Sequence, residues 1–314
     1  MTDVVIAADQ LCFAYKDKQV LHNIQLSVLA GEIYGLVGAD GAGKSTLLSL
    51  GVGQLAASSG SIKVLGEVAT KPLLRDDIAY MPQGFGLYPD LSVQENLDFF
   101  ADLHGLSATK SKPRIKDLLQ RTGLVGFEDR RGGNLSGGMM QKLALACALV
   151  HEPKVMFLDE PTTGVDPLSR RAFWRLIEGV KADGVAILYA TANMDEAERC
   201  DRVGMLKSGQ LTRQGTPLDL MQQDTAVMVA VLGANVRRHR REIKALPGVQ
   251  LAFPIGLRLN VWLDRGESLP LFRHGIANIS GDLTVEQSRL SLHDTALRDL
   301  AMEERAQEQE HARG

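Results

Sequence analysis

A glycine-rich loop at residues 38–46 has the residue types and spacing of a phosphate-binding site. Its residues, in order, are Gly38, Ala39, Asp40, Gly41, Ala42, Gly43, Lys44, Ser45 and Thr46. Glycines at this spacing let backbone N–H groups close around phosphate oxygens. The lysine supplies a positive charge to the β- and γ-phosphates, and the serine hydroxyl is placed to ligate Mg²⁺. The loop therefore predicts that the chain binds a nucleoside triphosphate.

The segments on either side of the loop fit this chemistry. Glu32–Val37 is a short apolar run suited to a buried strand, and Thr46–Leu50 opens a helix. The N-terminus of that helix would direct its dipole and its free N–H groups at the anion. The loop thus lies in the strand–loop–helix context that a phosphate-binding motif requires.

Composition narrows the class of protein. The chain has 314 residues, a net charge of −3 and 45% hydrophobic residues, which is typical of a globular protein with up to two domains. The net charge argues against a mainly electrostatic nucleic-acid binder, which needs a basic face. One basic run, Arg237–Arg241, is interpreted either as a solvated helix face or as a contact for an anion or a membrane surface.

Cysteine usage and hydropathy bear on the compartment. Cys12, Cys147 and Cys200 are scattered and form no metal-binding pattern, which fits a reducing cytosol. The N-terminus lacks a basic n-region, so no secretory signal is expected. No stretch approaches ~20 consecutive apolar residues, so no membrane span is predicted and any membrane role would come through a partner.

Strand-like and helix-like segments alternate along the first two thirds of the chain. Helical periodicity covers Leu91–Leu149, where Val93, Leu97, Phe100 and Leu103 are spaced for one face. This alternation predicts an α/β fold with a largely parallel sheet. The predicted strands are Val4–Ala14, Gln25–Leu29, Glu32–Val37, Ser61–Leu65, Ile78–Met81, Lys154–Leu158, Val185–Tyr189 and Val203–Leu206.

The composition changes after Asp219, and the order of elements there predicts a second, α+β unit. Its expected order is βαββαβ plus a final helix, which is the split-βαβ, ferredoxin-like arrangement. The final helix, Ser291–Gln309, would begin with a capping box formed by Ser291 and Asp294. The expected earlier elements are Val227–Leu232, Val236–Leu246, Val249–Phe253, Leu257–Leu263, Leu269–His274 and Leu283–Glu286.

Three further motifs follow the phosphate loop in a fixed order. Leu135–Gly138 reads LSGG at the start of an apolar helix, and Lys154–Pro161 is an apolar strand that ends in two adjacent carboxylates. Gly164–Pro167 reads GVDP. An LSGG tetrad alone is weak evidence, but this combination is highly specific.

With these motifs, residues 4–220 resemble the ATP-binding cassette of an ABC transporter. The resemblance implies a P-loop NTPase fold with a mainly parallel core sheet, an antiparallel β subdomain and a helical subdomain at about residues 88–150. The cassette is expected at residues 1–222, an accessory α+β domain at 223–302 and a polar tail at 303–314. Met194–Arg199 and the segments around Gln83 and Glu95 are most similar to the drug- and antibiotic-exporter branch.

The resemblance also assigns roles within one copy of the chain. Tyr15 matches the aromatic residue that stacks on adenine, although a packed strand tyrosine is the alternative. Asp159 matches the carboxylate that holds Mg²⁺, and Glu160 matches the general base that polarises the attacking water. Adjacent residues at a strand end point to opposite sides, so one acid can serve the metal and the other the nucleophile. Gln83 matches the glutamine that touches Mg²⁺ and senses the membrane partner.

Other matches concern partners. In such cassettes two ATP molecules lie between two subunits that face head to tail. Ser136, Gly137 and Gly138 match the signature that caps the γ-phosphate bound by the opposite subunit. Asp166 matches the aspartate that couples the two sites. Phe85–Tyr88 resembles the groove that receives a permease helix, or is an ordinary surface loop.

One departure from the family pattern concerns catalysis. Ala192 stands where the family places a switch histidine that contacts the γ-phosphate. A methyl group cannot donate a hydrogen bond, and the loss of such a donor costs roughly 3–4 kcal/mol in the transition state. Two hypotheses follow: the chain is the weaker partner of a heterodimer, or Asn193 or an ordered water substitutes and a homodimer hydrolyses ATP slowly.

The resemblance implies a cytoplasmic MgATP hydrolase, peripheral on the inner membrane face, that energises a separate permease, with export as the expected direction. A soluble ABC protein that acts without a permease is one alternative, although such proteins usually carry two cassettes or a long coiled-coil insertion. A regulatory cassette that binds ATP without hydrolysing it is the other. The absence of the switch histidine favours the regulatory alternative, and Glu160 disfavours it.

Overall fold

The computed structural model describes residues 3–70, 76–222, 226–288, 291–295 and 298. The chain divides into two compact units, Met1–Thr216 and Pro217–Gly314. The sequence predicts this boundary after residue 222, whereas the two units divide before the α7 helix, Pro217–Gln222.

An antiparallel sheet with the strand order β2-β1-β4-β5 forms one part of the first unit. Its strands are β1 (Val4–Tyr15), β2 (Lys18–Leu29), β4 (Ser59–Val64) and β5 (Glu67–Val68).

The β1–β2 hairpin is longer than the sequence indicates, because β2 begins at Lys18 and not at Gln25. Tyr15 pairs directly with Lys18, and Lys16 has a φ of 51°, so two residues close the turn.

The second sheet of this unit is mainly parallel and positions the site. Its strand order is β10-β9-β3-β8-β7-β6, and only β10 runs antiparallel to its neighbour. All residues of the central strands β3, β7 and β8 are buried, which explains their continuous apolar sequences. The strands are β3 (Ile33–Val37), β6 (Ile78–Met81), β7 (Val155–Asp159), β8 (Ala186–Thr191), β9 (Arg202–Lys207) and β10 (Gln210–Gly215).

Among the residues of the first unit that the structure describes, six α-helices accompany these strands. Three of them, α2 to α4, fall in the region 88–150 that the sequence analysis assigned to a helical subdomain. Ser92 and Glu95 form a capping box at the start of α2, whereas Leu103 at its end is 65% exposed and not on the buried face. The helices are α1 (Lys44–Gly51), α2 (Val93–Leu103), α3 (Ala108–Thr122), α4 (Gly137–Leu149), α5 (Pro167–Ala182) and α6 (Met194–Ala197).

The second unit contains an antiparallel sheet with the strand order β12-β13-β11-β14. Two helices lie between the strands in the chain, which gives the βαββαβ order that the sequence predicts. The α9 helix extends to Ile279, five residues beyond the predicted end at His274. The elements are β11 (Val227–Leu232), α8 (Arg240–Lys244), β12 (Val249–Ile255), β13 (Arg258–Leu263), α9 (Leu269–Ile279) and β14 (Thr284–Gln287).

Most of the predicted final helix, Ser291–Gln309, lies outside the described residues, and the predicted polar tail at 303–314 lies entirely outside them. Its capping box is present: the Asp294 backbone N–H donates to Ser291 Oγ at 3.1 Å, and the Ser291 backbone N–H donates to Asp294 Oδ2 at 3.3 Å. Within the described parts of the chain, no helix combines the length and the apolar character that crossing a membrane demands.

Candidate functional site

The phosphate loop connects the C-terminal end of β3 to the first residue of α1. Gly43, the N-cap of α1, has a φ of 108° and offers no side chain to cap the helix. A residue with a side chain is strained at this φ, and its Cβ would lie 2.8 Å from Leu21 Cδ2. The first N–H groups of α1 therefore remain available to an external acceptor, which is the property that anion binding requires.

The residues of the loop differ in exposure. Lys44, Ala42 and Gly43 are buried, and Gly38 and Thr46 are half-buried. The four exposed members of the loop are Ala39, Asp40, Gly41 and Ser45. The exposed Asp40 side chain lies 3.9 Å from Lys44 Nζ, which is a long contact and screened by solvent.

Lys44 is folded back onto its own loop. Its Nζ donates to the carbonyl oxygens of Gly38 at 2.8 Å and Ala39 at 3.1 Å. It also lies 2.9 Å from Glu160 Oε1, and the Lys44 side chain is only 4% exposed. Lys44, which the sequence predicts to bind phosphate, therefore contacts Glu160, which the resemblance predicts to be the general base.

Asp159 ends β7 and is 3% exposed. Burial raises the pKa of its carboxyl, the negative charge of Glu160 adds to this, and hydrogen bonding from the Ser45 and Tyr80 hydroxyls opposes it. Among the described residues, its Oδ1 atom has no hydrogen-bond partner. A buried carboxylate oxygen without a donor, next to a serine hydroxyl, suits a hard cation such as Mg²⁺.

Glu160 leaves the strand in a left-handed conformation with a φ of 46°. A non-glycine residue in this region is strained, and such strain is concentrated at functional sites. The conformation is held by a hydrogen bond from the Glu160 N–H to the Ala190 carbonyl at 3.0 Å and by Thr163 Oγ1, 3.2 Å from Glu160 Oε2. Asp159 thus interacts with Ser45, whereas Glu160 interacts with Lys44.

The segment after β8 carries Ala192, which is exposed. Asn193 caps the short α6 helix, because its Oδ1 accepts from the Asp195 N–H at 3.0 Å. The Asn193 N–H in turn donates to Thr191 Oγ1 at 2.9 Å. Asn193 is therefore committed to the local turn through both its backbone and its side-chain oxygen.

Gln83 is exposed in the loop after β6. The strands β6 and β7 are parallel, with Met81 opposite Leu158. Gln83 and Asp159 therefore both lie at the C-terminal ends of these strands. Tyr15 ends β1, is 49% exposed and meets Phe13 edge to face at 4.7 Å.

Ser136 is the N-cap of α4 and accepts from the Met139 N–H at 3.3 Å. Gly137 is exposed, and Gly138 packs against α5 so closely that a Cβ there would lie 2.3 Å from Ser169 Oγ. Asp166 caps α5 and accepts from the N–H groups of Leu168 and Ser169 at 3.0 Å.

Only part of the predicted site is joined by direct contacts. Lys44, Ser45, Asp159 and Glu160 form one cluster. In the described chain, no hydrogen bond or ion pair connects Tyr15, Gln83 or the serine–glycine residues 136–138 to that cluster.

A buried polar cluster beside the site was missed by the sequence analysis. Glu196 is 2% exposed and accepts hydrogen bonds from the hydroxyls of Thr162 and Thr191, the latter at 2.7 Å. Arg170 Nε lies 3.7 Å from Glu196 Oε1. Three acidic residues, Asp195, Glu196 and Glu198, stand within four positions of the chain there, so the sequence carried no signal that one of them is buried.

An aromatic cluster lies at the start of the helical region. The Tyr88 ring is 4.6 Å from Phe99 and 6.4 Å from Phe100. Tyr88 is 47% exposed and Phe99 is 37% exposed, so their rings form an accessible apolar patch. Phe85, which the sequence grouped with Tyr88, has a φ of 69° and is half-buried.

The chain is similar to known ATP-binding proteins of transporters. The family model described as "ABC transporter" matches residues 21–163. "Probable multidrug ABC transporter ATP-binding protein YbhF" of Escherichia coli K12 is 44% identical over 226 residues, which cover 71% of this chain and 39% of YbhF. The chain therefore spans well under half the length of that relative.

Two further relatives match over most of their own length. "Nod factor export ATP-binding protein I" of Burkholderia orbicola is 37% identical, with 74% of this chain and 77% of the relative covered. "Linearmycin resistance ATP-binding protein LnrL" of Bacillus subtilis is 34% identical, with 74% and 76% covered.

Solved structures support the same assignment. An ATP-binding subunit of an ABC transporter superposes with a TM-score of 0.64 at 32% identity over 70% of this chain and 92% of its own. CbiO1 of Clostridium perfringens superposes with a TM-score of 0.65 at 31% identity over 69% and 90%. The predicted α/β cassette fold is thereby confirmed, and the chain belongs to the family of ABC transporter ATP-binding proteins.

Proposed function

We propose that the chain hydrolyses MgATP and thereby energises a separate membrane permease. The observation that carries this proposal is the cluster of Lys44, Ser45, Asp159 and Glu160 at one edge of the parallel sheet. It combines a phosphate-binding cation, a metal-binding carboxylate and a base, which are the groups that phosphoryl transfer to water uses.

The nucleotide would be held mainly by the phosphate loop. The N–H groups at the uncapped start of α1 and the Lys44 ammonium would bind the phosphates, once Lys44 leaves the carbonyls that it now contacts. The half-exposed Tyr15 ring is free to stack on the adenine base.

Ser45, Asp159 and Gln83 would hold the magnesium ion. The unpartnered Oδ1 of the buried Asp159 supports this role, because that oxygen requires a cation or a donor. The metal, when bound, neutralises charge on the phosphate oxygens. Glu160 lies beside this position and would accept the proton of the attacking water.

A second cassette would complete each site. Ser136, Gly137 and Gly138 have no hydrogen bond to the phosphate loop within the described chain. The Ser136 side chain caps only the Met139 N–H, and the other N–H groups at the start of α4 would bind an anion held by another subunit. This arrangement supports a head-to-tail pair with two bound nucleotides, in which Asp166 would couple the two sites.

The permease would dock on the apolar patch formed by the exposed rings of Tyr88 and Phe99, which pack against Phe100. Relatives named for multidrug transport, Nod factor export and linearmycin resistance support export as the direction. We place the chain on the cytoplasmic face of the membrane, where ATP is available. The second unit would be an accessory domain that stabilises the dimer or regulates it.

Phosphate release from the purified chain, alone and with its co-purified membrane subunit, tests this function. Wild-type turnover that is lost in K44A and E160Q is the expected result. Failure of radiolabelled ATP to bind at all would overturn the proposal. Truncation after Thr216, the last residue of the first unit, tests the accessory role, since unchanged dimerisation and unchanged turnover would remove it.

A degenerate or regulatory cassette is the second candidate function. The exposed methyl group of Ala192 favours it, because no donor reaches the γ-phosphate from this position. Such a chain would bind MgATP, turn it over slowly and pair with a fully active cassette. Turnover by the isolated homodimer at a rate comparable to that of the full transporter would exclude it.

A further inference from the structure

Glu196 joins segments of the chain that carry site residues. Its two carboxylate oxygens accept from different hydroxyls, Oε1 from Thr162 and Oε2 from Thr191. Arg170 approaches Oε1 at 3.7 Å. Glu196 is 2% exposed, so solvent does not replace any of these partners.

Each of these partners lies close in the chain to a proposed functional residue. Thr162 is two residues after Glu160, and Thr191 immediately precedes Ala192. Arg170 belongs to α5, the helix that Asp166 caps. The Glu160 N–H also donates to the Ala190 carbonyl, so the segment that carries Glu160 lies next to the C-terminal end of β8.

The cluster extends toward the signature helix. Gln141 of α4 is fully buried and donates through Nε2 to the Pro161 carbonyl at 2.6 Å. Pro161 lies between Glu160 and Thr162. The segment that carries Glu160 is therefore held at two points. The Gln141 side chain of α4 binds the Pro161 carbonyl, and Glu196 binds the Thr162 hydroxyl.

We propose that Glu196 is a positioning residue that sets the geometry of the Glu160 segment relative to the Ala192 segment. The inference rests on the proposed ATPase function. The Ala192 side chain cannot bind a phosphate, so the nucleotide would not hold this segment through residue 192. The hydrogen bond from Thr191 to Glu196 would therefore help to set the position of the segment. A shift of about 1 Å in a group that orients the reaction can cost about 100-fold in rate.

The chain offers a matched control in Glu32. Its carboxylate is likewise buried, accepts from the Leu29 N–H at 2.6 Å and pairs with Arg202 at 3.3 Å. Glu32 precedes β3, whereas the phosphate loop follows that strand. The two glutamates thus share chemistry and burial but lie at opposite ends of the sheet.

The test compares E196A, E196Q and E32A in the full chain. We expect E196A to lower kcat about 100-fold while KM for MgATP stays within about twofold. E196Q keeps the side-chain volume and, through its amide oxygen, an acceptor for one of the two hydroxyls, so it should recover part of kcat. E32A should lower the melting temperature and leave kcat within about twofold of wild type.

Amide hydrogen exchange gives a readout that does not need turnover. We expect E196A to accelerate exchange in peptides that cover residues 160–165 and 191–194, and E32A to leave both segments unchanged. If E196A does not fold, T162V removes one hydroxyl contact at nearly constant volume and takes its place.

Outcomes separate this inference from the proposed function. A wild-type chain without turnover would contradict the proposed function, and exchange would then decide the role of Glu196. Wild-type kcat and exchange in E196A would overturn the inference. Equal losses of kcat in E196A and E32A would also overturn it, because they would indicate a general structural effect.

Discussion

Lys44 Nζ lies 2.9 Å from Glu160 Oε1, and both side chains are largely buried. The Lys44 ammonium, which we propose binds phosphate, and the Glu160 carboxylate, which we propose acts as the base, neutralise each other's charge in this contact. Neither group can perform its proposed role until they separate, because a paired lysine and a paired base are both occupied. Nucleotide phosphate is therefore expected to compete with Glu160 for Lys44.

This competition predicts that E160Q binds ATP more tightly than wild type. Glutamine removes the charge that holds Lys44, and a hydrogen bond to a charged group contributes about 1.5–3 kcal/mol, of which part is recovered by the amide. We expect the Kd for ATP to fall by about tenfold, equivalent to about 1.4 kcal/mol, and turnover to be lost. Equilibrium titration with a fluorescent ATP analogue measures the first effect, and phosphate release measures the second.

The control for this experiment is D40N, since Asp40 also approaches Lys44 but at 3.9 Å and with its side chain 93% exposed. Solvent screens that contact, so D40N should change the Kd little. An E160Q variant with wild-type affinity would contradict the competition.

Restoring a donor at position 192 should raise turnover. Ala192 is exposed, so a histidine can be accommodated there without displacing core residues. A preorganised donor on transition-state charge is worth about 100- to 1,000-fold in rate, and we expect A192H to recover at least about tenfold of this. A192F, which has similar bulk and no donor, is the control. If A192H and A192F have the same kcat, the missing donor does not limit hydrolysis.

The residues of the candidate site could be located from the sequence because they belong to short contiguous motifs. The phosphate loop, the adjacent acids Asp159 and Glu160 and the serine–glycine tetrad are contiguous motifs. Their strands, β3, β6, β7 and β8, were also located to within about two residues, because strands buried on both faces are continuous apolar runs.

Some strands at the edges of the two sheets of the first unit were predicted incompletely or not at all. The β10 strand, Gln210–Gly215, lies at a sheet edge with alternating exposed residues and was not identified, and the first part of β2 is similarly polar. The burial of Glu196 could not be foreseen either, since it depends on hydroxyls 34 and 5 residues away in the chain. Long-range contacts of this kind leave no periodic signature.

A pair of stacked histidines should make the first unit sensitive to acid. The rings of His104 and His151 lie 3.7 Å apart and nearly parallel, and His151 Nε2 donates a hydrogen bond to the Ile78 carbonyl oxygen at 3.2 Å. Burial, with a smaller contribution from His104, lowers the pKa of His151 from 6.5 to about 4.

A histidine with a lowered pKa binds fewer protons in the folded state than in the unfolded state. Its contribution to stability is therefore fully present above pH 6.5 and is lost as the pH falls toward about 4. We expect the melting temperature of H151Q to decline less than that of wild type between these values, as measured by circular dichroism. H104Q removes the neighbouring charge and should have a smaller effect. Parallel pH profiles for wild type and H151Q would contradict this assignment.

The close approach of α4 and α5 predicts a rescue experiment at the signature segment. A Cβ at Gly138 would lie 2.3 Å from Ser169 Oγ and 2.6 Å from Ser169 Cβ, so G138A forces the two helices apart. Overpacking of this kind costs about 1–3 kcal/mol, and we expect the free energy of unfolding to fall by that amount. The double variant G138A/S169G removes the clashing side chain and should recover most of the loss, whereas G137A, with no atom within 4 Å of its added Cβ, should lose little. Urea denaturation of the four proteins measures these differences, and an unrescued double variant would show that the clash does not determine the stability of this contact.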